Sequence, residues 1–480
     1  MKRIFLSMSF IAAVFLISSC SGMSSSGPCT TCGGGNANLT VTILDTPPAG
    51  AHFLNFNMPL IGISLTSATT GNQVNVFSPT TIPTFDLVRL QSDSALLGTF
   101  QIAPDTYNKM TITLGTPSTI FANAGTTAIG SCAPATVCSF NGGTVGSVVV
   151  TLSPVLTLGS SANVGLGIDF TLDNIVTTTS TGDIAFDFTQ PNAITPVSLP
   201  RVGQASGTLD SVEDFMGVIT ASSSSSLTVM SKTRGTLTGS ISSSTTYTEL
   251  VSANAVCGGS APTASCLATG KTVSVDATIG LDGKVSINEV DFIDDPSADE
   301  IEGVIYPTST VGTFGMIVFD AVNASNNSAL NNVGSGFTLN FTLDPSATFA
   351  VDTRNLGAVV STGFSAQSDL FAGQQVMIRV QSTNTSGTTF AVVTNRLVLR
   401  YSRTSATVSS VGGNAFGIVP PNFFGLNGSP LVQTFPGITV FDNVTDLSGL
   451  TAGDNVSIRA LYLNPTTTSP SFLTAKVRKH

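Results

Sequence analysis

The chain has 480 residues, 41% of them hydrophobic and only 10% charged, with 46 glycines and no tryptophan. So sparse a charge excludes a long Lys/Glu-rich helical protein and an acidic disordered tail. The formal charge of −10 also argues against a nucleic-acid partner, because an acidic surface repels phosphate backbones. What remains is an exported all-β chain, with Val, Ile, Phe and Thr for strands and Gly, Asn and Asp for turns.

Met1-Lys2-Arg3 is followed by an apolar run over residues 4–17 and then by Ser18-Ser19-Cys20. A short positive head and an apolar core too short to span a bilayer mark a secretory signal over residues 1–19. The small residues before Cys20 resemble the lipobox of bacterial lipoprotein precursors. That resemblance implies that Cys20 carries a diacylglyceryl anchor of palmitate type and becomes the mature N-terminus. Loss of Lys2 and Arg3 then takes the formal charge from −10 to −12. The membrane is thus the expected partner, through the anchor. The expected place is the cell envelope, and the outer membrane if the cell has one, because Ser21 and not Asp follows the cysteine. Residues 20–36 are small and polar and read as a flexible tether.

Of the seven cysteines, six fall as close neighbours: Cys29 with Cys32, Cys132 with Cys138, and Cys257 with Cys266. In an oxidising compartment such pairs staple loops. The spacing of Cys29 and Cys32 also matches a redox or zinc motif. A pair in a tether has no helix to depress a thiol pKa, so a staple or a free thiol pair is the simpler reading.

From residue 38 onward, apolar and polar residues alternate in Leu39-Thr40-Val41-Thr42-Ile43, the period of a half-buried strand. Residues 85–90, 109–114, 147–152, 165–172 and 184–188 behave alike, with turn clusters between them. The pattern predicts a β-sandwich over residues 37–200. Asp45-Thr46-Pro47, the run 85–90, Ile102-Ala103-Pro104-Asp105-Thr106-Tyr107 with Met110-Thr111-Ile112, and Leu166-Gly167-Ile168-Asp169-Phe170 resemble a bacterial lipoprotein domain. That family is catalogued as domain of unknown function four-three-eight-two. The chain departs from it at Thr46 and in the 132–138 insertion. The family has no assigned activity, so the resemblance implies architecture and setting only.

Beyond residue 201 one pattern recurs three times: Leu267-x-x-Gly270-x-x-Val273, Leu370-x-x-Gly373-x-x-Val376 and Leu450-x-x-Gly453-x-x-Val456. A closing strand follows each, and a Thr with a large neighbour precedes each (Thr246-Tyr247, Thr348-Phe349, Thr439-Val440). The repeat predicts three small β-barrels at 201–295, 296–400 and 401–480, with each glycine in a turn before a strand. These copies resemble the exported module catalogued as domain of unknown function five-six-six-six, a barrel akin to OB-type folds. Such a fold confers no ligand by itself.

Chemistry is sparse. His52 and His480 are the only histidines, and no G-x-S-x-G elbow, HExxH helix or phosphate-cradling loop occurs. No catalytic residue and no cofactor is therefore assigned. Asp291, Asp294, Asp295, Asp299 and Glu300 cluster between the first two repeats, where calcium is the candidate cation and a solvated acidic linker the plainer reading. Asp282-Gly283 reads as a hairpin turn. Phe423-Phe424 is the one aromatic pair placed for a loop tip, although core or edge packing is the plainer reading. The expectation is a lipid-anchored, non-catalytic envelope protein with a structural or binding role toward an envelope polysaccharide or protein. The alternatives are a carboxylate-based hydrolase of envelope polysaccharide, which needs two facing acids, and a calcium-dependent adhesin.

Overall fold

Strand-forming residues dominate the chain, and the folded protein is all-β, an N-terminal sandwich followed by three small barrels. The computed structural model describes residues 35–480 except 47–52, 124–126, 135, 143–145, 202–205, 250–256, 259–260, 294–298, 309, 323–327, 331, 353–362, 385–389, 414, 420–422, 425–431, 434–437, 443–446 and 464–470. Cys20, Cys29, Cys32, His52, Asp294 and Asp295 lie outside the described residues.

One sheet of the sandwich runs Ile194–Leu199, Asn163–Thr171, Ala37–Thr46, Ala95–Ile102, with the middle pair parallel. The facing sheet runs Thr136–Asn141, Ser118–Asn123, Phe53–Ser67, Asp105–Leu114, Gly146–Leu158, with Gln73–Phe77 and Thr84–Asp86 also on the long strand. Leu39, Val41 and Ile43 of one sheet meet Phe56, Met58, Leu60, Met110 and Ile112 of the other in a single core. Thr40 and Thr42 are buried as well, so this strand is covered on both faces. The Asp282-Gly283 hairpin of the first barrel lies over that outer face, where Thr99 Oγ1 donates to the Gly283 carbonyl at 3.1 Å. The predicted strand over residues 85–90 divides. Thr84–Asp86 is extended, and Leu87–Leu90 forms a 3-10 turn because the Asp86 side chain accepts from Val88 N and caps it.

In the first barrel the strands are Thr208–Ser222, Ser226–Ser231, a divided third strand (Gly235–Ser240 and Thr246–Glu249), Thr272–Gly280 and Val285–Phe292. The second has Asp299–Pro307, Thr313–Val322, Thr338–Val351, Gln375–Asn384 and Ala391–Leu399. The third has Tyr401–Gly412, Ala415–Ile418, Ile438–Asp442, Asn455–Leu463 and Ser471–Lys479. In every case the order around the sheet is third, second, first, fourth, fifth, and the fifth strand meets the third in parallel. This is the connectivity of OB-type barrels.

The recurring glycines sit where the pattern places them. Gly270, Gly373 and Gly453 have φ of +92°, +93° and +96°, a region that L side chains rarely enter. Each donates its N–H to a carbonyl of the first strand, Ile219, Ile305 and Val408 respectively, at 2.8–2.9 Å. The leucine three residues earlier closes the barrel end: Leu267 and Leu370 are buried and Leu450 packs at the core edge. The upstream threonines are less regular. Thr246 and Thr348 pair with Glu289 and Arg396 at equivalent places, whereas Thr439 pairs with Ser471, several residues further from the equivalent end of its closing strand.

The cysteine pairs Cys132–Cys138 and Cys257–Cys266 have their sulfurs 1.97 and 2.16 Å apart, within disulfide bonding distance. Residues 34–480 form one compact unit, and the cores interpenetrate. Leu199 of the sandwich joins the core of the first barrel, and Tyr401, Leu461 and Ala475 of the third barrel join that of the second.

Candidate functional site

A chain with 10% charged residues brings many of them to one interior place. The junction forms because the first strand of the first barrel bulges between Val212 and Phe215, turning Glu213 and Asp214 toward the neighbouring modules. Asp214 has φ of +49°, unusual for a residue other than glycine, and such strain of about 1–3 kcal/mol persists only where surroundings fix it. Here they do. Asp214 N donates to Asp276 Oδ1 at 2.6 Å, Oδ1 accepts from Ser274 Oγ at 2.9 Å and Arg400 Nη2 at 3.1 Å, and Oδ2 accepts from Arg403 Nη2 at 3.1 Å.

Arg234, in the turn after the second strand, ties this bulge to the sandwich. Its Nη2 donates to Asp93 Oδ2 (2.8 Å) and the Ser94 carbonyl (2.7 Å), and its Nη1 to the carbonyls of Glu213 (2.8 Å) and Asp214 (3.0 Å). The guanidinium also lies 5.2 Å from the centre of the Phe215 ring. Arg400, between the second and third barrels, pairs with Asp352 and lies 3.6 Å from Glu302 Oε1. From the third barrel, Arg459 reaches Glu213 Oε2 at 2.9 Å and stacks 4.8 Å from the Tyr401 ring centre. Lys476 stands 3.4 Å from Glu213 Oε1 and 3.7 Å from Asp93 Oδ1, and Arg478 Nη1 donates to the carbonyls of Leu90 and Asp93.

The barrel repeat explains the complementarity. Asp276, Arg379 and Arg459 occupy the same fourth-strand position, three residues after the recurring valine. Glu289, Arg396 and Lys476 face them at one position of the closing strand. The first barrel is therefore acidic on this face and the third basic. Burial alone would lower the Arg459 pKa, but Glu213, Asp276, Tyr401 and Asp214 together hold it above its ordinary value. Burial likewise opposes ionisation of Asp93, yet Arg234, Lys476 and Arg459 outweigh it and hold the carboxyl below the usual range.

Beside this junction is a cavity of about 320 Å³ with walls from all four modules. Asp86 and Arg89 come from the sandwich, Asp214 and Lys232 from the first barrel, Asp320 from the second and Arg403 from the third. Asp86 is the cap of the 3-10 turn. Its Oδ1 accepts from Phe56 N (2.8 Å) and Val88 N (3.2 Å), Arg89 Nε is 3.5 Å from Oδ2, and burial still pushes its pKa up. Asp86 is thus held for a local structural task.

The predicted site residues are dispersed. Asp291 is on the closing strand of the first barrel, and Asp299 and Glu300 open the first strand of the second. All three are buried. Among the described residues, no group of three or more His, Cys, Asp or Glu side chains is placed to hold a metal. His480 contacts Ser457 Oγ through Nε2 (2.6 Å) and Thr46 Oγ1 through Nδ1 (3.2 Å). Its ring is enclosed, and this, with Arg478 and Arg201 nearby, pushes its pKa down to about 3. No protein-family model matches the chain, and no curated protein does.

Sequence reasoning missed the junction altogether. The signal was present in Ile458-Arg459-Ala460 and Ala475-Lys476-Val477-Arg478, cations set inside apolar strands of a charge-poor chain.

A second buried carboxyl gives a pH prediction. Asp45 is fully buried, with no partner in normal hydrogen-bond geometry. Burial raises its pKa well above the usual carboxylate range. Asp169 and Asp86 add to the rise, and weak polar contacts with Leu172 N and Gln91 only partly offset it. A carboxyl with a raised folded pKa binds its proton more tightly folded than unfolded, so stability falls as pH rises from the unfolded value toward the folded one. Asp45→Asn, which cannot ionise, should raise the thermal midpoint at pH 7, with the gain shrinking toward pH 4. Equal midpoint shifts at both pH values would refute the assignment.

Proposed function

We propose that this protein is a lipid-anchored component of the cell envelope with a non-catalytic role, binding or structural, carried by a rigid four-module body. The observation behind the reading is the junction itself. Acidic and basic side chains of all four modules are committed to one another there, so the modules are held in fixed relation instead of being hinged for turnover. Asp86, the cavity acid with a raised pKa, is tied to two backbone amides, and that favours binding over the acid–base alternative. The envelope setting rests on residues 1–36, where a signal, Cys20 and a polar tether follow in the order of a lipoprotein precursor. Among the described residues no helix is long and apolar enough to cross a membrane.

Cells fed a clickable fatty acid should label the wild-type protein. Cys20→Ala should abolish the label and leave an unprocessed precursor. Equal label on both proteins would overturn the anchoring proposal.

A further inference from the structure

We propose that the cavity at the four-module junction binds a neutral sugar of mono- or disaccharide size. The proposal rests on the binding reading above and names its ligand class. At about 320 Å³ the cavity is at the lower end of the ~300–1,000 Å³ range of small-molecule sites.

The electrostatics select against ions. Arg89 faces Asp86 at 3.5 Å, Arg403 faces Asp214 at 3.1 Å, and Arg234 is held by Asp93 at 2.8 Å. An anion would have to compete with each of these carboxylates, and a cation with each guanidinium. Lys232, exposed, and Asp320, half-buried, are of opposite sign, and with Asp93 behind Arg234 the four cations of the lining face four carboxylates. A sugar hydroxyl suits such a lining because it donates to a carboxylate and accepts from a guanidinium or ammonium at once.

The cavity also has an apolar side formed by Met216, Met230 and Phe319. Met230 is 53% exposed, an uncovered thioether beside polar walls. The C–H face of a pyranose ring packs on such a surface while its rim meets the charged groups.

The test is saturation-transfer NMR on the full chain in detergent micelles, with glucose, galactose, mannose, N-acetylglucosamine and maltose as probes. Sodium acetate and ethylammonium chloride serve as anion and cation competitors. At least one sugar should show transfer that neither salt displaces. Lys232→Ala and Asp320→Asn should each weaken it about tenfold or more, the loss expected for a hydrogen bond to a charged group. Thermal midpoints should be unchanged, and Lys284→Ala, on a remote exposed hairpin, should bind like wild type. Silence from every sugar, transfer insensitive to both cavity variants, or displacement by either ion would overturn the assignment. Fatty-acid labelling fails or succeeds independently, so a labelled protein blind to sugars loses only the ligand, and an unlabelled one that binds sugar loses only the anchor.

Discussion

Arg400→Met should destabilise the protein by about 3–5 kcal/mol, the range for removing one partner from a buried ion pair. Arg400 is the cation shared by the first and second barrels. It donates to Asp214 and Asp352, lies 3.6 Å from Glu302, and anchors its own backbone through Arg400 N to the Gln375 carbonyl at 2.8 Å. Methionine fills the volume but leaves those carboxylates to face one another with less positive charge among them. Asp214 would suffer most, because its left-handed backbone is fixed by the same contacts that Arg400 helps to supply. Urea denaturation should show the loss as a lower midpoint. Arg400→Lys should recover only part of it, since an ammonium cannot fork between two carboxylates as a guanidinium does. A loss below about 1 kcal/mol would mean the pairs merely offset their own desolvation. The double variant with Asp214→Asn should lose less than the sum of the two single losses.

The all-β class and the barrel repeat were legible because both rest on local rules. Alternation announces strands, and a glycine with positive φ announces the turn before the fourth strand at residues 270, 373 and 453. Residues 85–90 were misread because Phe85, Leu87 and Leu90 are all buried. Apolar spacing looked like a strand, while the Asp86 side chain was free to cap a turn instead. Thr439 was misaligned because a Thr-large pair carries little information without its pairing partner. The junction was illegible for a different reason. Asp276 and Arg459 occupy equivalent repeat positions, and although cations inside apolar strands hint at burial, nothing local says which surface of another barrel they meet. Only the packing of the first barrel against the third makes an acidic face and a basic face into one site. The acidic run over residues 291–300 shows the converse: neighbours in sequence are carried to strands of two different barrels.

Gly303→Val should damage the second barrel more than Gly373→Val does. Gly303 lies on the first strand immediately after a register shift, pairing with Val318 on one side and Val376 on the other. A Cβ there would overlap the Ile317 carbonyl oxygen and stand 2.7 Å from Met316 Cγ and 3.0 Å from Ile317 C. Backbone cannot step aside as a side chain can, so the cost should reach the upper part of the ~1–3 kcal/mol range for overpacking, or exceed it. Gly217 of the first barrel has the same position and the same crowding, against Met230 and Ser231. The third barrel carries Ala406 there, opposite Val456, so its first strand accommodates a methyl group. By contrast, Gly373→Val should cost only about 1–2 kcal/mol, the price of a left-handed backbone. The turn equivalents Gly270 and Gly453 have open space around a built Cβ, which leaves backbone strain as the whole effect. The neighbour of Gly303 is Glu302, which accepts from Gln375 and faces Arg400, so damage at this strand reaches the junction directly. Limited proteolysis of Gly303→Val should therefore begin within residues 300–400 and at lower temperature than for Gly373→Val. A thermal midpoint for Gly303→Val at or above that of Gly373→Val would show that the crowded strand can relax, and the ranking would be wrong.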